Sequence, residues 1–372
     1  MKRTILIAAL VSAPLFGAAW TDRAEYDLVL TVKNEAIPQK QIALLDQWKA
    51  KYPKSELRQI RCELYLSAYQ SVGNSAGMLD VSREMLADDP NTPVGIYWLT
   101  VLTPAAKKQS PELWDAAEKA ARRLLAARKT DQEELLAHRT LGWVRWQSGD
   151  YAGAEQELTA AVKLDAKSAE LASWLGLVLG LEKRPEKQVP ALWQLARASS
   201  VRQMNTLLEQ VYTSYHGQPD GLDALKTAAA ASPFPPDGFN IESAAVIAAR
   251  RAEEELNRTN PELAAWLRIR KQLESPDGDK YFAETLKAVP LPKLKGTVVR
   301  CNPAKLPTEV VLSMNTPGAE EVTLKFDSPM ATAADEGTVL EFGDAFADSF
   351  TRSPFGLTVM ITKDKVSGWP EK

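Results

Sequence analysis

The sequence predicts two architectures in series: an all-α solenoid of stacked helical hairpins, then a small antiparallel β-barrel. Three observations predict it. Residues 135–168 read as two amphipathic helices joined at Ser148-Gly149-Asp150. A copy of that pattern follows 34 residues later. At Pro290-Leu291-Pro292-Lys293 helix formers give way to Val, Thr, Phe, Gly and Pro in short alternating runs.

The chain begins with a pattern that predicts export. Lys2 and Arg3 supply a positive start, residues 5–16 an apolar centre, and Gly17-Ala18-Ala19 a small-residue exit site. The apolar centre is shorter than the roughly 20 residues a spanning helix needs. Residues 1–19 are therefore expected to be a signal peptide cleaved after Ala19, with no membrane span in the mature chain. The protein is expected to be exported, and periplasmic in a host with two membranes. Cys62 and Cys301 are expected to stay free thiols.

In the second helix of the clearest hairpin, Tyr151, Ala154, Leu158, Ala161 and Val162 recur on one face. The first helix carries Ala137, Leu141 and Val144 around Gly142. A glycine inside a helix costs about 1 kcal/mol against alanine, so Gly142 implies that another backbone passes close by. Leu141-Gly142, Gly149-Asp150-Tyr151, Ala154 and Ala161, with the gaps between them, resemble a tetratricopeptide repeat (TPR). His138 stands where that family usually has tryptophan, and Ala166 replaces its closing proline.

In the second copy Trp174-Leu175-Gly176 falls on Thr140-Leu141-Gly142, and Leu192 and Leu195 fall on Leu158 and Ala161; its turn, Lys183-Arg184-Pro185, is degenerate. Looser copies occupy 21–55, 57–90, 92–129 and 201–231. Their punctuation includes Ile37-Pro38, Gly73-Asn74, Asp88-Asp89-Pro90 and Ser110-Pro111, the last a capping residue before an N1 proline. Six hairpins thus fill a TPR-like region, 20–236. Residues 237–289 continue as helix and are expected to form a cap over the end of the stack.

Residues 290–372 are the expected barrel. Alternating runs lie at 296–301, 309–314, 321–326, 338–342 and 357–361, separated by turn residues such as Asn315-Thr316-Pro317-Gly318. The order, with Lys295-Gly296-Thr297-Val298 first and Gly337-Thr338-Val339-Leu340-Glu341-Phe342 late, resembles OB-fold modules at the ends of bacterial exported proteins. That fold often binds oligonucleotides, but nucleic acid is not expected here. From Lys293 onward nine basic residues face eleven acidic ones, and the whole chain carries a formal charge of -3.

Catalysis is not expected either. The chain has two histidines, His138 and His216, without a neighbouring His or Cys at ligand spacing, so no metal or cofactor is anticipated. No nucleophile elbow or phosphate-cradling glycine loop occurs. Glu253-Glu254-Glu255, following Arg250-Arg251, reads as a solvated helix face.

The TPR resemblance implies a groove lined by the first helix of each hairpin. Its positions map onto Arg139, Trp143, Trp146 and Gln147, continuing at Ser173, Leu177, Gly180 and Leu181. Trp143 and Trp146 are i, i+3 neighbours, and large rings beside an arginine suit a binding hot spot. If one of the two packs instead against the neighbouring hairpin, Trp146 is the one expected to. The leading expectation is a non-catalytic exported scaffold that binds a protein or peptide in this groove. The alternative is a cell-envelope or small-ligand module in which the barrel binds and the repeats position it. The oligomeric state is left open.

Overall fold

The computed structural model describes residues 22–370, which fall into two compact units, one ending at Ile241 and one beginning at Glu242. The expected signal peptide, 1–19, lies outside the described residues.

The first unit is six consecutive helical hairpins: α1 (Arg23–Asn34) with α2 (Pro38–Lys51), α3 (Arg58–Ser71) with α4 (Ser75–Asp88), and α5 (Pro93–Leu102) with α6 (Pro111–Ala127). They continue as α7 (Asp131–Gln147) with α8 (Tyr151–Leu164), α9 (Ala169–Leu181) with α10 (Pro185–Arg197), and α11 (Arg202–His216) with α12 (Leu222–Ala231). Every substantial helix contact joins neighbours or next neighbours in sequence: α7 touches α6 and α8, and also α5 and α9. The core is correspondingly a succession of apolar clusters, each shared by adjacent hairpins. This is the packing of a TPR-like row, and not of a single bundle.

Local chemistry explains the helix limits. Ser110, Thr130, Asp150 and Ser168 each accept a backbone N–H near the start of α6, α7, α8 and α9. The tight turns share one hydrogen-bond scheme. Gly149 N–H donates to Trp146 and Asp150 N–H to Arg145, as Gly73 does to Gln70 and Asn74 to Tyr69. Both glycines are left-handed, with φ of 85° and 69°.

The third turn of this type is degenerate in sequence, yet Lys183 occupies the place of Gly149 and has a φ of 55°. A side chain there incurs the left-handed penalty that glycine avoids. Close approach is visible at the helix crossings: a Cβ on Gly142 would lie 2.7 Å from Leu158 Cγ and 3.2 Å from its backbone nitrogen. At Gly176 the neighbour is Leu195, one helical turn further along than the repeat offset predicts.

In the second unit, α13 (Ala244–Thr259) and α14 (Pro261–Glu274) precede seven strands: β1 (Leu294–Asn302), β2 (Glu309–Ser313), β3 (Val322–Phe326), β4 (Val339–Phe342), β5 (Phe346–Arg352), β6 (Phe355–Ile361) and β7 (Val366–Ser367). The expectation of a small antiparallel barrel with OB-like closure is corrected here. The strands form an open sheet in the order β5-β6-β3-β2-β1-β4-β7, and β3 pairs with β6 in parallel. β5 is absent from the sequence reading: a bulge between Ala347 and Ser349 breaks its alternation, and Asp348 interrupts its apolar run.

The helices expected as a cap group with the sheet. Trp266, Ile269 and Leu273 of α14 are buried in one core with Leu294, Leu312, Leu324 and Val359 of the sheet. The helices at 244–274 therefore belong to the sheet unit, because the apolar face of α14 is buried against it. Cys62 is buried and Cys301 half-buried, both free; burial pushes the Cys62 thiol up to about 11. Among the described residues no helix is long and apolar enough to cross a membrane.

Replacing Lys183 with glycine removes the left-handed penalty at that turn. Lys183→Gly is expected to stabilise the chain by about 1 kcal/mol in urea unfolding, whereas Gly149→Lys is expected to destabilise it by a similar amount.

Candidate functional site

α7 and α9 are the first helices of successive hairpins and touch directly, which brings Arg139 and Trp146 of one copy beside Trp174 of the next. Thr140 Oγ1 donates to Thr100 O at 2.7 Å and ties α7 to the hairpin before it. Arg139 lies across the seam between α7 and α9. Its Nη2 is 2.9 Å from Glu170 Oε1, and its guanidinium sits 5.1 Å from the centre of the Trp174 ring. Trp174 in turn faces Trp146, with ring centres 6.5 Å apart and planes tilted by 51°. Arg139, Trp174 and Trp146 thus form a continuous, partly buried aromatic and cationic surface.

Trp143 is not part of that surface. It is 6% exposed and packs with Ala117 and Val144, beneath the partly buried rings of Trp114, Trp146 and Trp174. This reverses the expectation for the pair. Residues three apart are rotated by about 60° around a helix. That places Trp143 toward α6, while Trp146 stays at the boundary with solvent. Gln147, Ser173 and Leu177 are half-buried, and Leu181 is 41% exposed. Ser173 donates its hydroxyl to Glu170 O of its own helix. Trp174 and Glu170 are absent from the expected site. The available signal is a tryptophan at the position where the previous copy has Thr140, which reads in sequence only as a landmark of the repeat.

Charges in this region are paired inside the fold. His138 Nδ1 lies 2.7 Å from Glu157 Oε2, and Arg145 Nη1 lies 3.3 Å from Glu157 Oε1, joining α7 to α8. On the second-helix side, Lys187 bonds both oxygens of Glu155. Glu182, whose buried side chain has Arg184 Nη1 at 3.8 Å from its Oε2, stands against that pair. Burial, followed by the hydrogen bond and negative charge of Glu155, holds the Glu182 carboxyl above the usual range. This carboxyl pair joins α8 to the α9–α10 turn, away from the aromatic face. Among the described residues no group of three or more His, Cys, Asp or Glu is placed to hold a metal ion.

No protein-family model matches the chain, and no curated protein matches its sequence. Solved structures with some likeness include MamA, 16% identical over 45% of this chain and 92% of that one, with a TM-score of 0.33. TTC0263, a thermophilic TPR protein of Thermus thermophilus, is 16% identical over 51% of this chain and 95% of its own, with a TM-score of 0.29. The P58(IPK) TPR domain is 14% identical over 69% and 74%, with a TM-score of 0.24. At that level nothing passes from them to this chain; the TPR-like reading rests on its own packing.

Trp143→Ala is expected to cost about 3–5 kcal/mol in urea unfolding, and Trp146→Ala clearly less, because only the first ring fills a closed core. The raised Glu182 carboxyl favours the fold when protonated, a contribution fully present below the unfolded value and lost as pH rises through the folded one. Glu182→Gln is therefore expected to raise the thermal midpoint at pH 7, with the gain shrinking as pH falls toward the ordinary glutamate value of 4.5.

Proposed function

We propose that this chain is an exported, non-catalytic scaffold that docks a protein or peptide partner on the first-helix face of its hairpins. The docking centre is Arg139, Trp146 and Trp174, with Leu177 and Leu181 extending it along α9. One observation supports this most: two tryptophans from successive repeats meet at 6.5 Å, partly buried but still reached by solvent, with Arg139 laid over one of them. Rings held rigid by packing lose little entropy on binding, which is what lets a few residues carry most of an interface. Arg139 is already neutralised by Glu170, so the face favours an apolar or aromatic anchor over an acidic one.

The test is crosslinking of the full chain in an envelope extract, with the attachment points mapped. Crosslinks on α7 and α9 that disappear in Trp146→Ala/Trp174→Ala, with the fold retained, are the expected result. A double variant that captures the same partner undiminished overturns the site. Removal of residues 242–372 is expected to leave that capture intact. Export is checked separately by the N-terminal residue of the mature protein, expected to be Trp20.

A further inference from the structure

The sheet unit carries a second feature that the helical row does not explain. A groove of about 610 Å³ is lined by Thr323, Ser349, Thr351, Phe355 and Thr358, with Arg270 and Glu321 at one wall. That volume falls within the roughly 300–1,000 Å³ of small-ligand sites. Its floor is set by strand register. Ser349 of β5 is opposite Thr358 of β6, and Thr358 is opposite Thr323 of β3. Three hydroxyls therefore stand in one row across three strands, about 5 Å apart, the interstrand spacing. None of the three has a hydrogen-bond partner among the described residues. Two residues further along β6 on the same face lies Met360, with Phe346 opposite it; they are 43% and 50% exposed. Gly356 leaves bare backbone in the groove beside Thr351.

The charges lining this groove are already paired. Arg270 is 2.6 Å from Glu321 and lies 4.8 Å from the Phe355 ring centre. Glu321 also accepts backbone N–H groups of Met314, Asn315 and Thr316, and Glu320 pairs with Arg300. An ionic ligand finds no free countercharge here. β3 and β6 are paired on both sides, so free main chain for an extended peptide exists only along the outer edge of β5 and not across the floor. What remains is a row of neutral groups that both donate and accept, with the exposed Phe346 ring beyond the groove lining, two residues along the register of β6.

We propose that the outward face of β5, β6 and β3 binds an uncharged linear oligosaccharide. Its hydroxyls exchange hydrogen bonds with Ser349, Thr358 and Thr323, and the C–H face of one ring packs on Phe346. The spacing of the row is comparable with the length of one sugar ring, so successive sugars meet successive hydroxyls.

The test is calorimetric titration of the full chain with maltohexaose, cellohexaose and hexa-N-acetylchitohexaose. Saturable binding of at least one is expected. Thr323→Val/Thr358→Val keeps shape and strand preference while removing two hydroxyls, and should weaken it by about tenfold. Phe346→Ala, at an exposed position, should weaken it comparably. Unchanged thermal midpoints in both variants separate loss of binding from loss of fold. Absence of binding by all three sugars up to roughly 10 mM overturns the proposal. So does binding that the threonine double variant leaves within about twofold of the original. Displacement of the bound sugar by an unrelated extended peptide, with the Phe346→Ala chain unaffected, overturns it as well.

Discussion

Close approach of the two helices in each hairpin is the constraint on which the first unit depends. In the clearest copy it is set by Gly142, whose missing side chain admits Leu158 and its backbone, and by Ala154 and Ala161, which are fully buried. A hairpin closed this tightly is thin. It cannot cover its own outer apolar stripe, so Leu171, Leu175 and Val178 of α9 must cover what α8 leaves open. The row is the consequence. Each hairpin is stable only through its neighbours, and the side of the first helices that faces no neighbour stays available to solvent.

The same constraint sorts the aromatic residues. Beside a small crossing residue a large one has room on only one flank, and Trp143, directly after Gly142, takes it by packing on Ala117 of α6. Trp146 and Trp174 come from different hairpins and meet at the seam between them. That seam is where the row can present rings to a partner without dismantling its core. Arg139 bridges it with one hydrogen-bonded ion pair and one ring contact, so the surface is built jointly by two repeats and depends on their register.

Much of this organisation was legible in the chain. The capping residue Ser110, the glycine turns and the small crossing residues each state a local rule, and local rules survive into the structure. Strands β1 to β4 and β6 were readable for the same reason. What escaped was settled by contacts distant in sequence. The burial of Trp143 depends on α6, the membership of α14 depends on the sheet, and the parallel pairing of β3 with β6 is fixed by neither strand alone. β5 hid because its bulge breaks the period of two, and Lys183 hid because lysine does not announce a left-handed turn that its surroundings enforce. Of the expected groove, Arg139 and Trp146 stand at the surface with Leu177 and Leu181, while Trp174 was visible only as part of a repeat.

Charge placement separates what these surfaces can recognise from what they cannot. On the helical row Arg139, Arg145 and Lys187 each face a carboxylate of the same unit. On the sheet Arg270, Arg300 and Lys325 do the same. Internal pairing of this kind removes the net field that would attract an oppositely charged ligand over a distance. It also fixes long side chains that would otherwise have to be ordered on binding. Under the two proposals selectivity comes from contact: ring against apolar group on the helices, and hydroxyl against hydroxyl on the strands. Both depend on fit more than on ionic strength. They therefore belong on the rigid elements where they are found, a seam between packed helices and the face of a hydrogen-bonded sheet.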